Sequence, residues 1–191
     1  MTKNTLLNIA ILFSRLLKGL FILGLLVLSG LFIYVQVNSK DYENREVKLS
    51  ESKSIFGFYL SGSSTNHSID EIAAPYTLGK LKTVSLYLNY FKGIIVLVLV
   101  YMATNAFEKI MLSVKSLKTF NSSNSRLFRK IGIYIIIVIL LTSYSVLRFE
   151  DGIQTKMVID FVPLTYALLA FILAQIFKEG SILKQENELT I

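Results

Sequence analysis

Cysteine and tryptophan are absent from this chain, and it has a single histidine. Without cysteine there is no disulfide staple, no thiolate metal site and no thiol–disulfide chemistry, which needs paired cysteines. The lone His67 makes neither a metal site nor a catalytic triad. With no tryptophan, anchoring at a membrane surface falls to the ten tyrosines and to lysine and arginine. Charge is also scarce, at 17% of residues, against roughly 25% in soluble domains. Hydrophobic residues make up 53% of the 191. A soluble core cannot absorb that much apolar surface in a chain of this size, whereas a bilayer can.

Long apolar runs carry that excess. A spanning helix needs about 20 largely apolar residues with its backbone bonded internally. Four stretches qualify: 19–37, 84–107, 131–147 and 158–177. The first has no charge between Lys18 and Lys40. Its length and the lack of a small-residue cleavage pattern after it predict a retained signal-anchor rather than a cleaved signal peptide. Lys92 interrupts the second run, and Asp160 and Pro163 lie near the start of the fourth. The third is the shortest, with Lys130 and Arg148 at its ends, placed to snorkel to the interfaces. The expected fold is therefore an all-α membrane protein. It has one domain of four transmembrane helices over residues 1–191, with a small exported cap at 38–83, a basic loop at 108–130 and a tail at 178–191.

Positive residues stay cytoplasmic, so the charge distribution sets the orientation. Lys3, Arg15 and Lys18 precede the first run with no acid among them, and Lys109, Lys115, Lys118, Arg126, Arg129 and Lys130 face only Glu108. These segments and the tail account for the whole net charge of +7, while 38–83 balances to zero. Both termini and the 108–130 loop are thus expected in the cytoplasm, with the protein in the plasma membrane. Topology and anionic headgroups explain the positive charge, and no nucleic-acid recognition fold accompanies it.

Outside the spans, Asn4, Asn8, Ser14, Arg15 and Lys18 fall on one side of a helical wheel and Leu6, Ile9, Leu12, Phe13 and Leu16 on the other. Either an interfacial helix or one long tilted first helix satisfies this pattern. In the cap, alternation predicts short strands at 46–50 and 82–86, the apolar run 54–60 offers a third, and 61–66 reads as a turn or loop. Asn66-His67-Ser68 fits the glycosylation pattern. Phe107, Ile110, Met111, Val114 and Leu117 recur at helical spacing, extending the second span as an amphipathic helix. Asn121-Ser122-Ser123-Asn124-Ser125 then breaks it and supplies caps for the next helix.

Lys92 and Asp160 are the only charges within the four runs. Both lie near the outer ends of their spans, at similar depth, which makes them a candidate intramembrane ion pair. No metalloprotease, phosphate-loop or serine-hydrolase motif is present, and one intramembrane acid without a positioned partner is a poor basis for acid–base chemistry. The sequence predicts no enzyme, no cofactor and no metal site.

Two stretches carry a resemblance. One is Phe120-x-x-x-Asn124 running into Arg129-Lys130-Ile131-Gly132. The other is Ile176-Phe177-Lys178-Glu179-Gly180 followed by Glu186-Asn187-Glu188-Leu189-Thr190-Ile191. Together they resemble the domain of unknown function 2975 family of small bacterial four-span membrane proteins, with a Phe-x-x-x-Asn motif before the third span and a Glu-Asn-Asp-Leu-Thr-Val-like tail. Glu188 stands where that family usually has Asp, and the glycine often found before the Phe is missing from Ser116-Leu117-Lys118-Thr119. Family members often lie beside a small helix-turn-helix regulator. The resemblance therefore implies a non-enzymatic membrane sensor or anchor for a cytoplasmic DNA-binding protein. The docking candidates are Phe120, Asn124, Arg126, Arg129, Lys130, Gly180, Glu186, Asn187, Glu188, Leu189 and Thr190. A small transporter, channel or self-immunity protein acting through its helices is the alternative. The partners expected are the lipid bilayer, a cytoplasmic regulator and a second copy in a homo-oligomer, with no direct nucleic-acid contact.

Overall fold

A computed structural model describes residues 3–47, 57–65, 76–117 and 119–189. In chain order the elements are α1 (Lys3–Val37), α2 (Ser39–Tyr42), β1 (Gly57–Thr65), α3 (Thr83–Lys115), α4 (Ser122–Ser143), β2 (Tyr144–Arg148), β3 (Gly152–Asp160) and α5 (Phe161–Leu189). The fold is mostly helical, with one three-stranded antiparallel sheet in the order β1-β3-β2. Three helices, α1, α3 and α5, are long and apolar enough to cross a membrane.

The third expected span, 131–147, is helical over only part of its length. α4 ends at Ser143, and 144–148 continue as strand β2 rather than as helix. Arg126, Arg129 and Lys130 occupy the first turns of α4, so its uncharged part, 131–143, is only ~20 Å long at 1.5 Å per residue. The run Ile135-Ile136-Ile137-Val138-Ile139 stays helical because helix propensity is a weak prior against packing. The fourth run also starts later than expected. Residues 152–160 pair as β3, and the helix opens at Phe161. The hairpin signal was hidden because Met157, Val158 and Ile159 read equally well as helix or strand by hydropathy.

The chain forms two compact units, Met1–Leu23 with Leu97–Val138 and Val162–Ile191, and Gly24–Val96 with Ile139–Phe161. The core of the first is Ile110, Phe128 and Ala174, surrounded by Met111, Val114, Leu127, Ile131, Leu173 and Phe177. Periodicity placed Ile110, Met111 and Val114 correctly, whereas Leu117 lies past the end of α3, 80% exposed. Gly132 lets α4 and α5 approach closely: a Cβ there would sit 2.8 Å from the Phe171 ring. Ser125 Oγ donates to the Ala174 carbonyl at 2.7 Å across the same contact. The N-terminal part of α1 belongs to one continuous 35-residue helix, so the long first helix is the form adopted. Ile11 and Ser14 are buried, whereas Leu6, Leu12, Phe13 and Leu16 are exposed.

The second unit holds the sheet. β1 runs through Thr65, so the loop expected at 61–66 is a strand as far as it is described. The expected strand at 82–86 is instead the start of α3, whose first residue is Thr83. Glu46 forms an isolated bridge with Thr77. Residues 48–56, including the rest of the expected strand at 46–50 and the start of that at 54–60, lie outside the described residues, as do Asn66, His67 and Ser68. The hairpin between β2 and β3 is pinned from the 76–82 segment. Leu81 bridges Phe149, Glu150 N donates to Lys80 O at 2.9 Å, and Lys80 pairs with Asp151 at 2.6 Å. The Tyr76 ring packs on Phe149 at 4.6 Å.

Candidate functional site

The two motif-bearing stretches meet in the first unit. α3 ends at Lys115, and Leu117 turns the chain with φ 61°. Leucine pays for this left-handed conformation where glycine would not. Asn121 then caps α4, its Oδ1 accepting from Ser123 N at 3.1 Å. Asn124, one turn on, is fully buried. Its amide donates to Thr119 O at 2.8 Å and to Ser113 Oγ at 2.9 Å, tying the loop back to α3. A side chain with amide donors suits this position, since a carboxylate donates nothing and an apolar residue would strand the loop carbonyl.

Phe120 lies against α5. Its ring centroid is 5.7 Å from that of Phe177, which in turn is 4.9 Å from Phe128 in the core. A Cβ at Gly180 would collide with the Phe120 ring, with Cε1 at 2.6 Å. Gly180 lies inside α5, which runs on to Leu189, and its lack of a side chain admits the close approach of Phe120. Next to it Ser181 is buried and donates to Lys178 O at 2.8 Å. Phe120 remains 46% exposed and Leu117 and Leu183 more so. Arg126, Arg129, Lys130, Glu186 and Asn187 are all exposed. Phe120, Asn124 and Gly180 are thus brought together, while the charged candidates lie on the surface of the same unit. Nothing is described of the side chains of Glu188 and Leu189, and Thr190 lies outside the described residues.

One cluster escaped the sequence reading. Glu108, only 6% exposed, accepts from Arg15 Nε at 2.9 Å and pairs with Lys18. Lys18 also reaches Asn105 Oδ1 at 3.4 Å. Glu108 is the one acid among the bases of 108–130, and that isolation was the available signal. Part of the polar face at the start of α1 therefore turns inward, with Ser14 buried and Lys18 on Glu108 of α3, while Asn8 and Arg15 stay exposed.

In the second unit Lys92 donates to Tyr144 O at 2.6 Å and to Ser145 Oγ at 2.9 Å. These are its contacts, in place of the ion pair expected with Asp160. Asp160 instead closes β3 opposite Gly57. One turn and two turns earlier on α3, Asn89 Nδ2 donates to Val146 O at 3.3 Å, and Ser85 Oγ donates to the same carbonyl at 3.3 Å. Ser85 Oγ also accepts from Arg148 N at 3.2 Å. Ser85, Asn89 and Lys92 recur at helical spacing and together supply partners along the outer edge of β2, an edge strand paired only with β3. An edge strand beside apolar helices needs such partners, since unsatisfied backbone groups are costly where water is excluded.

Among the described residues no group of three His, Cys, Asp or Glu is placed to hold a metal. The chain matches the family described as "Protein of unknown function (DUF2975)" over residues 66–191. It therefore belongs to that family of uncharacterised proteins, as the Phe120-x-x-x-Asn124 and C-terminal stretches implied. No curated protein and no solved structure matches it.

Proposed function

We propose that this protein is a non-enzymatic plasma-membrane anchor or sensor that holds a cytoplasmic helix-turn-helix regulator. On this reading the chain crosses the bilayer four times with both termini inside. The third crossing is a composite: ~20 Å of uncharged α4 at 1.5 Å per residue followed by ~16 Å of β2 at 3.3 Å per residue. The Ser85, Asn89 and Lys92 side chains give that strand the partners its backbone needs away from water.

The observation that supports a docking role is the junction of Phe120 with Gly180. It joins the 108–130 loop to α5 within the first unit, where Phe120, Leu117, Leu183, Arg126 and Glu186 are each exposed. Phe120, Leu117 and Leu183 would supply the apolar contacts, and Arg126 and Glu186 the orientation.

Affinity purification of the tagged chain in mild detergent, against a version ending at Ser181, tests the reading. The shorter chain keeps Gly180 beneath Phe120, so the core contact survives. A small DNA-binding protein recovered with the full chain and lost with the shorter one is expected. Recovery of no soluble partner with either overturns it.

A further inference from the structure

The register of the sheet sorts its residues into two faces. Phe58 and Ile159, then Leu60, Met157 and Tyr144, then Gly62, Thr155 and Val146, then Ser64, Ile153 and Arg148 lie opposite one another and share one face. Phe58, Leu60, Tyr144 and Met157 on this face are exposed, Leu60 by 71%. The other face includes the buried Leu147. Gly62, which carries no side chain, leaves a shallow cavity of about 350 Å³ between Leu60, Tyr144, Thr155 and Met157.

This face is graded along the strands. Its apolar end adjoins the helices, since Tyr144 directly follows α4 and Ile159 is two residues before α5. The Phe161 ring, first in α5, meets Phe58 edge-on at 6.0 Å. Its other end carries Ser64, Thr155 and the exposed Arg148, with the exposed Ile153 between Ser64 and Arg148; Arg148 lies ~13 Å from Tyr144 at 3.3 Å per residue. Apolar surface next to a spanning helix, with a guanidinium one strand-length further out, matches the order of acyl chain and phosphate in a lipid.

We propose that this face seats an outer-leaflet phospholipid, its acyl chain against Leu60, Tyr144 and Met157 and its phosphate on Arg148. The proposal rests on the membrane reading but not on the cytoplasmic partner. Because the chain has no tryptophan, one introduced at Leu60 or at Tyr144 reports on its own surroundings. The full-length Leu60→Trp and Tyr144→Trp proteins are reconstituted in phosphatidylethanolamine/phosphatidylglycerol vesicles with and without brominated acyl chains. Flotation with the vesicles is recorded first, and failure to float sinks the membrane reading itself. Blue-shifted emission that is lost to the brominated lipid is expected at both positions, with the quenching reduced when Arg148→Glu is added. Red-shifted, unquenched emission at both positions places the face in water and overturns the proposal. Blue-shifted but unquenched emission also overturns it, because protein, such as a second copy, then covers the face. Quenching indifferent to Arg148→Glu overturns the phosphate seat. Met157→Trp replaces Leu60→Trp if that variant does not fold.

Discussion

At the scale of single residues, the packing of one loop decides what is tolerated. Gly180→Ala places a methyl group inside the Phe120 ring, and overpacking of this kind costs ~1–3 kcal/mol. Thermal unfolding in detergent should show a lower midpoint, partly restored in the Gly180→Ala/Phe120→Ala double variant. Equal and additive losses would mean that the two side chains do not meet. Leu117 sits in a left-handed turn while 80% exposed, so Leu117→Gly relieves strain and forfeits little burial. It should gain about 1 kcal/mol, read as a raised unfolding midpoint. Asn124→Leu removes two hydrogen bonds from a fully buried site and should cost ~1–3 kcal/mol. The sequence marked Phe120, Asn124 and Gly180 as candidates, but not that Phe120 packs over Gly180. A glycine that stops a helix and a glycine that admits a neighbouring ring look alike until the neighbour is known.

At the scale of elements, buried ionic and polar contacts decide which faces meet. The N-terminal turns of α1 are held to α3 by Glu108 with Arg15 and Lys18. Glu108→Gln weakens both contacts, since a neutral amide binds the cations less strongly than a carboxylate. Trypsin should then cut at Arg15 and Lys18 faster than in the parent chain, and an unchanged digestion rate would show that apolar packing of Ile11 alone holds the helix. The wheel of α1 was legible in the sequence, yet its polar face was expected to seek water or headgroups. A partner acid ninety residues away turned part of that face inward, and no local pattern announces such a partner. Likewise Lys92 was singled out from its place in an apolar run, but its partners are backbone and side-chain oxygens of β2. Those oxygens became available only because residues 144–148 left the helix.

At the scale of the whole molecule, the membrane reading makes a direct prediction. The cysteine-free chain allows single-cysteine labelling at chosen sites. With a membrane-impermeant thiol reagent on intact cells, Ser63→Cys and Glu150→Cys should react, while Ser123→Cys and Gln185→Cys should react only after lysis. Labelling of Glu150→Cys and Ser123→Cys from the same side would mean that α4 and β2 together do not cross.

Composition and run length alone determined that this chain carries several apolar helices long enough for a bilayer. The charge distribution by itself predicted their direction, and the two short motifs identified the family. These signals are carried by local stretches of chain, which is why they survive without a structure. The tertiary structure alone decided that the third apolar run is part helix and part strand, and that a hairpin at 144–160 joins β1 in one sheet. Both depend on hydrogen bonds between residues far apart in sequence: Leu60 opposite Met157, Tyr144 opposite the same residue, and Ser85 on the edge of β2. Hydropathy records how apolar a segment is, but the backbone's choice between helix and strand follows from which distant donors and acceptors the fold brings within reach.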